Sequence, residues 1–230
     1  MRRTDPQSPI ILDRTTDELE ECLLFCIVVA GKTAATQQRL LKNFLTSFPS
    51  QSTSPFDLIR EMDAAGKLSQ QLMYSKLGQY TRLTSCFRDL VASNLDLRTC
   101  TIDDLEAIHG IGPKTARFFL TCTRSDVRFA VIDTHNLRFL REVIGEETPI
   151  TTPQSKREYQ RLEAKYLQIV NKLGVNAAEF DLVIWKSYSQ GEQRFFEDFI
   201  KEAGVDSMFI KKNNNGCLLY TSDAADEEDS

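Results

Sequence analysis

Apolar residues recur at spacings of three and four through most of this chain, while the alternation of a half-buried strand is scarce. Leu19, Leu23, Cys26, Ile27 and Ala30 make one such stripe, and Leu40, Leu41, Phe44, Leu45 and Phe48 another. A chain with this period must bury helix faces against other helices, so an all-α architecture is expected. The cap signature Thr16-Asp17-Glu18-Leu19 opens the first helix, with acids near the positive end of the helix dipole. Gly31, Pro49 to Pro55 and Gly66 then punctuate the chain, which predicts separate helices over 33–48 and 56–65. Further helices are expected over about 77–92, from Thr101-Ile102-Asp103-Asp104 to His109-Gly110, over 134–143, over 156–173 closed by Gly174, and from an Asn176 cap to about Tyr188.

Charge and cysteine usage bound the function classes. The net charge of -5 comes from the tail 213–230, which holds five of the 33 acidic residues and no Lys or Arg, leaving 28 acids against 28 bases elsewhere. A neutral body neither demands nor forbids a polyanionic partner. That tail has no helical or strand period, and its CLLYTSDAADE portion looks like translated sequencing-adaptor read-through, so it is expected to be disordered and foreign to the fold. The six cysteines, at 22, 26, 86, 100, 122 and 217, form no CxxC pair and read as reduced structural thiols. No run approaches the roughly 20 apolar residues needed to span a bilayer. With its charged amino terminus lacking an apolar stretch, the chain reads as soluble, cytoplasmic and without a membrane partner.

The most informative segment is LEAIHGIGPKTARFFL, residues 105–120, where two helical patterns meet at His109-Gly110-Ile111-Gly112-Pro113. Two glycines permit positive φ and close backbone approach, Ile111 can plug the joint, and Pro113 suits a first helical turn. Such a turn aims backbone N–H groups at one point near a helix N-terminus, an arrangement that holds phosphate without net basic charge. A mere connection between helices is the plain alternative. Lys114 follows at once, where the helix dipole and the desolvating neighbours Phe118 and Phe119 are expected to disfavour its ammonium form. An amine so placed can act as a nucleophile and form a Schiff base with a sugar carbon; the alternative is a solvated surface lysine. Nineteen positions on, the short apolar run Phe129 to Ile132 ends at Asp133, which is either a helix N-cap alone or an N-cap with a chemical role.

GIGPKTARFF followed by the aspartate of AVIDTH resembles the helix-hairpin-helix plus Gly/Pro-Asp signature of the DNA glycosylase superfamily that includes endonuclease III. The flanks ELEECLLFCIVVAGKTAATQQRL and KLGVNAAEFDLVIWKSYSQGE are similar to the archaeal-type 8-oxoguanine glycosylase/lyases, over about Asp17 to Glu192. The resemblance implies a two-lobed helical domain over 14–192, with a central bundle about 33–132, a second lobe from 14–32 plus 133–192, and Lys114 and Asp133 at the mouth of a cleft. It implies Lys114 as nucleophile and Asp133 as catalytic carboxylate, with His109, Gly110, Ile111, Gly112 and Thr115 holding the backbone of double-stranded DNA that carries a damaged base. Trp185, Phe180 and Lys186 are the candidates for a base pocket, although Trp185 reads equally well as a core anchor. Arg82, Arg88, Arg117, Arg124 and Arg128 suggest a DNA-facing stripe or, one by one, solvated charges.

The implied activity is a bifunctional glycosylase/AP lyase of base excision repair acting as a nucleoid-associated monomer, most naturally on 8-oxoguanine. An oxidised-pyrimidine glycosylase of the same fold and a non-catalytic DNA-binding hairpin module are the rivals. No cofactor is required, although a monovalent cation can sit against hairpin carbonyls in similar hairpins. The four-cysteine iron-sulfur cluster of endonuclease III is not expected, because only Cys217 follows Asp133. No metal site is expected from the two histidines, His109 and His135. Two departures stand out: Gly31-Lys32 where many bacterial relatives carry a glutamine, and an extension, 193–212, beyond the point near Gly191 where the compact enzymes end.

Overall fold

A computed structural model describes residues 4–125, 127–153, 155–191, 198–199, 210–212 and 218–220. They fall into two units, Met1–Val127 and Arg128–Ser230. The first holds α1 (Thr16–Val28), α2 (Ala34–Leu45), α3 (Pro55–Ala64), α4 (Leu68–Tyr74), α5 (Tyr80–Ser93), α6 (Ile102–Glu106) and α7 (Pro113–Thr123). The second holds α8 (Thr134–Ile144), α9 (Lys156–Leu173), α10 (Ala177–Gln190) and two three-residue strands, β1 (Ile210–Lys212) and β2 (Leu218–Tyr220), paired antiparallel. The described residues are thus all-α apart from that small ladder. Its second strand is the apolar Leu-Leu-Tyr of the tail, so the expectation of no strand there fails at those three residues, whose types suit an extended backbone. The rest of the tail, Cys217 included, and most of 193–212 lie outside the described residues. No described helix is long and apolar enough to cross a membrane.

α1 is the centre of the first unit. Residues 18–28 are all buried, and the helix packs on α7, α2 and α3. A helix buried on every side needs neighbours all round, and within the first unit α1 has them. Its N-cap is Thr15, one residue before the expected signature: the Thr15 side chain accepts from Glu18 N, while Glu18 Oε2 accepts from Thr15 N at 3.1 Å. Two of its acids serve neighbouring segments. Glu20 Oε2 accepts from Ser54 Oγ and Phe56 N, binding the first turn of α3, and Glu21 Oε2 accepts from Thr4 N and Oγ1. The five described cysteines are buried, and no disulfide joins any two of them.

In the second unit, Leu137, Phe139, Leu162, Tyr166, Phe180 and Ile184 form the core, each side chain contributing about 1.5–3 kcal/mol through burial. α9 runs over its predicted residues and stops at Gly174, and α8 opens on an Asp133 cap.

Candidate nucleophile and carboxylate on two helix starts

α6 and α7 are the arms of the hairpin, and a buried ion pair joins them. Arg117 Nη1 lies 2.9 Å from Glu106 Oε1 and donates to Pro113 O, with the Arg117 side chain 4% exposed. Ile111 is buried at the joint and donates its N–H to Ile108 O. The two glycines, alike in sequence, differ in role. Gly110 has φ +86°, and a Cβ there would stand 3.1 Å from Cys86 Cβ on α5. Gly112 is extended, with φ -99° and ψ 178°, and a Cβ there would meet nothing. Of the two, only Gly110 uses the positive φ that glycine permits. Arg82, on α5, holds the turn in place: Nη1 donates to Gly110 O at 2.8 Å, Nη2 to Ile27 O at 3.2 Å and Nε to Gln79 Oε1.

No side chain caps α7, and its internal ladder begins with Ala116 N to Gly112 O, so the N–H groups of Lys114 and Thr115 have no partner within the helix. Exposed His109 and Gly112 border them. Thr115 is buried, so its side chain is not a DNA contact and only its N–H is available; it packs inward because α7 buries that face. Lys114 is half-buried on this first turn and, among the described residues, takes part in no hydrogen bond or ion pair. Nearby, Lys32 Nζ donates to Leu77 O, and burial, reinforced by the Arg82 charge, holds its pKa below the ordinary lysine value.

Asp133 is half-buried at the N-cap of α8. Its Oδ1 accepts from His135 N at 2.8 Å and from Asn136 N at 3.0 Å, and among the described residues Oδ2 accepts nothing. α9 secures the extended residues leading to it. Tyr159 Oη donates to Ala130 O and accepts from Ile132 N, both at 2.9 Å, and Glu163 Oε1 accepts from Ala130 N. The carboxylate is therefore held by cap bonds at one oxygen and by a braced chain behind it.

The helix-hairpin-helix motif model matches residues 95–120, the stretch just described. An 8-oxoguanine DNA glycosylase/AP lyase of Korarchaeum cryptofilum (strain OPF8) is 25% identical over 177 residues, which is 75% of this chain and 81% of that relative. The chain carries a helix-hairpin-helix motif and is similar to a DNA glycosylase/AP lyase. No solved structure matches it.

The other expected site residues divide by burial. Phe180 is fully buried, its ring 5.5 Å from Phe139, 5.8 Å from Tyr166 and 5.9 Å from Phe199, so the core claims it and no base can stack there. Trp185 and Lys186, on the adjoining part of α10, are half-buried. The arginine stripe dissolves likewise. Arg82 and Arg117 brace the hairpin, Arg88 pairs with Asp63, and Arg124 donates to Leu97 O. Among the described residues that leaves only exposed Arg128 of the five without an internal tie. Among them, too, no group of His, Cys, Asp and Glu is placed to hold a metal.

The contrast between the glycines gives a test. Gly110→Val is expected to unfold the first unit at lower temperature, since the left-handed conformation costs a β-branched residue roughly 1–2 kcal/mol and the clash with Cys86 about 1–3 kcal/mol more. Gly112→Ser should leave the thermal midpoint unchanged or higher. Its hydroxyl, however, would cap the N–H that a phosphate needs, lowering affinity for undamaged duplex by about tenfold. Equal thermal midpoints for the two variants would refute this division of labour.

Proposed function

We propose that the protein is a bifunctional DNA glycosylase/AP lyase of base excision repair. The observation that supports this most directly is Lys114, half-buried and, among the described residues, unpaired on the uncapped first turn that follows the hairpin. The open N–H groups of that turn suit a DNA phosphate, which positions the duplex without reading its sequence. The damaged nucleotide then leaves the stack, at a cost of a few kcal/mol that is least for a weakened base.

In this reading Lys114, as the free amine, attacks C1′ of the deoxyribose. The C1′–N bond breaks, the base departs with the bonding electrons and takes up a proton, and the Asp133 carboxylate stabilises the positive charge that develops on the sugar. Opening of the sugar ring gives an imine between Nζ and C1′. Loss of a C2′ proton then drives β-elimination, breaking the bond between C3′ and the 3′ phosphate oxygen and nicking the strand.

The substrate proposed is 8-oxoguanine, the base named for the Korarchaeum relative. Its discrimination from guanine requires an acceptor for the lesion's N7–H, which a backbone carbonyl supplies as well as a side chain does. Stacking on Trp185 would add about 1–3 kcal/mol without separating the two purines. Single-turnover excision from duplexes differing only in the lesion tests this. The expected order places 8-oxoguanine ahead of thymine glycol, uracil and alkylated purines. Faster release of thymine glycol would assign the protein to oxidised pyrimidines, and release of no base would leave only a binding module.

A further inference from the structure

Around the start of α8 the second unit gathers four polar side chains, two of them fully enclosed. Asn136 is 1% exposed and is bonded at both ends of its residue. Its main-chain N–H donates to Asp133 Oδ1 at 3.0 Å, while its side-chain Nδ2 donates to Val131 O at 2.7 Å and to Asp181 Oδ1 on α10. The Val131 carbonyl also accepts from Asp133 N at 2.7 Å, so a single oxygen receives both the amide of Asn136 and the backbone of the residue it helps to hold. Tyr166 points its buried hydroxyl into the same region, and burial, then the charges of Asp181 and Asp133, keep that phenol protonated.

This is a costly way to begin a helix. Asn136 Oδ1 is buried with no partner among the described residues, as is Tyr166 Oη, and an apolar residue at position 136 would leave no such orphan. What the amide adds is a tie. It joins the segment before Asp133, through Val131 O, to α10, through Asp181, and its own backbone carries one of the two bonds that orient the Asp133 carboxylate. We propose that Asp181, acting through Asn136, is a positioning residue for Asp133. The inference rests on Asp133 as the catalytic carboxylate; Asp181 itself need touch neither the base nor the sugar.

The chemistry of the tie distinguishes a hydrogen bond from a charge. Asp181→Asn keeps an oxygen that can accept from Asn136 Nδ2, whereas Asp181→Ala removes the acceptor and frees the amide to turn. A misplaced carboxylate slows the step it serves without loosening the hairpin's grip on phosphate. On an 8-oxoguanine duplex, Asp181→Ala is therefore expected to lower single-turnover excision by about tenfold to a hundredfold. Affinity for a duplex bearing a reduced abasic analogue should remain within about twofold of wild type, because the phosphate contacts are untouched. Asp181→Asn should recover most of the lost rate. In an Asn136→Ala background the further change Asp181→Ala should have no added effect, as expected of two residues acting in series.

Wild-type excision by Asp181→Ala would overturn the proposal. So would an Asp181→Asn rate as low as that of Asp181→Ala, which would make the charge the agent, or effects of the two alanines that multiply. If Asn136→Ala does not fold, the comparison of alanine with asparagine at 181 decides alone. Loss of activity at Lys114 and Asp133 together with a fully active Asp181→Ala would sink this inference and leave the glycosylase reading standing. Full activity of the Lys114 and Asp133 variants would remove the reading beneath it.

Discussion

Lys114→Ala and Lys114→Gln are expected to yield no borohydride-trapped complex with duplex DNA carrying an excisable base, against ready trapping by the wild-type chain. The effect is all or none, because the reducible imine needs a primary amine at C1′ and neither replacement offers one. Both residues are good helix formers, so α7 should survive the change and the variants should bind DNA. Among the described residues Lys114 has no internal partner to lose, which removes the usual route by which a lysine substitution harms a fold. The measurement is a gel-shifted covalent adduct after reduction. An adduct formed at wild-type yield by either variant would transfer the nucleophile elsewhere, with Lys32 the first amine to test, since its pKa is already held down by burial.

Asp133→Asn should separate binding from chemistry. The amide retains an oxygen to accept from His135 N and Asn136 N, so the cap of α8 persists. What is lost in stability is the interaction of a negative charge with the helix start, about 0.3–1 kcal/mol, less than the roughly 0.5–2 kcal/mol of losing the cap altogether. What is lost in rate is the stabilisation of a developing cation, and base release should fall by about 10²–10³-fold. Thermal unfolding together with single-turnover excision distinguishes the two losses. A variant that excises normally in its folded fraction would reduce Asp133 to a helix cap.

Much of this arrangement was legible from residue order, and the parts that were not share a physical cause. Helices with long apolar stripes and strong stops declare themselves, as α9 does from Lys156 to its Gly174 terminus, and Asp133 was placed as a cap by the apolar run before it. α4 was missed because seven residues with two buried leucines, Leu68 and Leu72, carry too little period to stand out. The roles of Gly110 and Gly112 are set by Cys86 and Arg82, some 25 residues earlier in the chain, and nothing local to the GIG triplet separates them. Arg117 and Phe180 read as surface and pocket residues because partners for a charge or a ring lie across the fold. Tyr159, Glu163 and Asn136 were overlooked for the converse reason. They sit on buried faces, where a polar atom leaves no mark in the hydrophobic pattern, and the backbone groups bonded by Tyr159 and Glu163 lie 27–33 positions away.

The guanidinium of Arg82 has a further consequence for the order in which this chain folds. It links the hairpin carbonyl of Gly110, 28 residues ahead, to that of Ile27, 55 residues behind. These are non-local contacts whose loops must close before they reward the chain. α6 and α7 can form early from local interactions, yet the turn between them takes its final shape only after α1 and α5 have docked. A peptide covering α6 and α7 alone would therefore hold helical segments without the finished turn. During synthesis, the grip on phosphate would be among the last properties the first unit acquires, so an incompletely folded chain would have little hold on DNA.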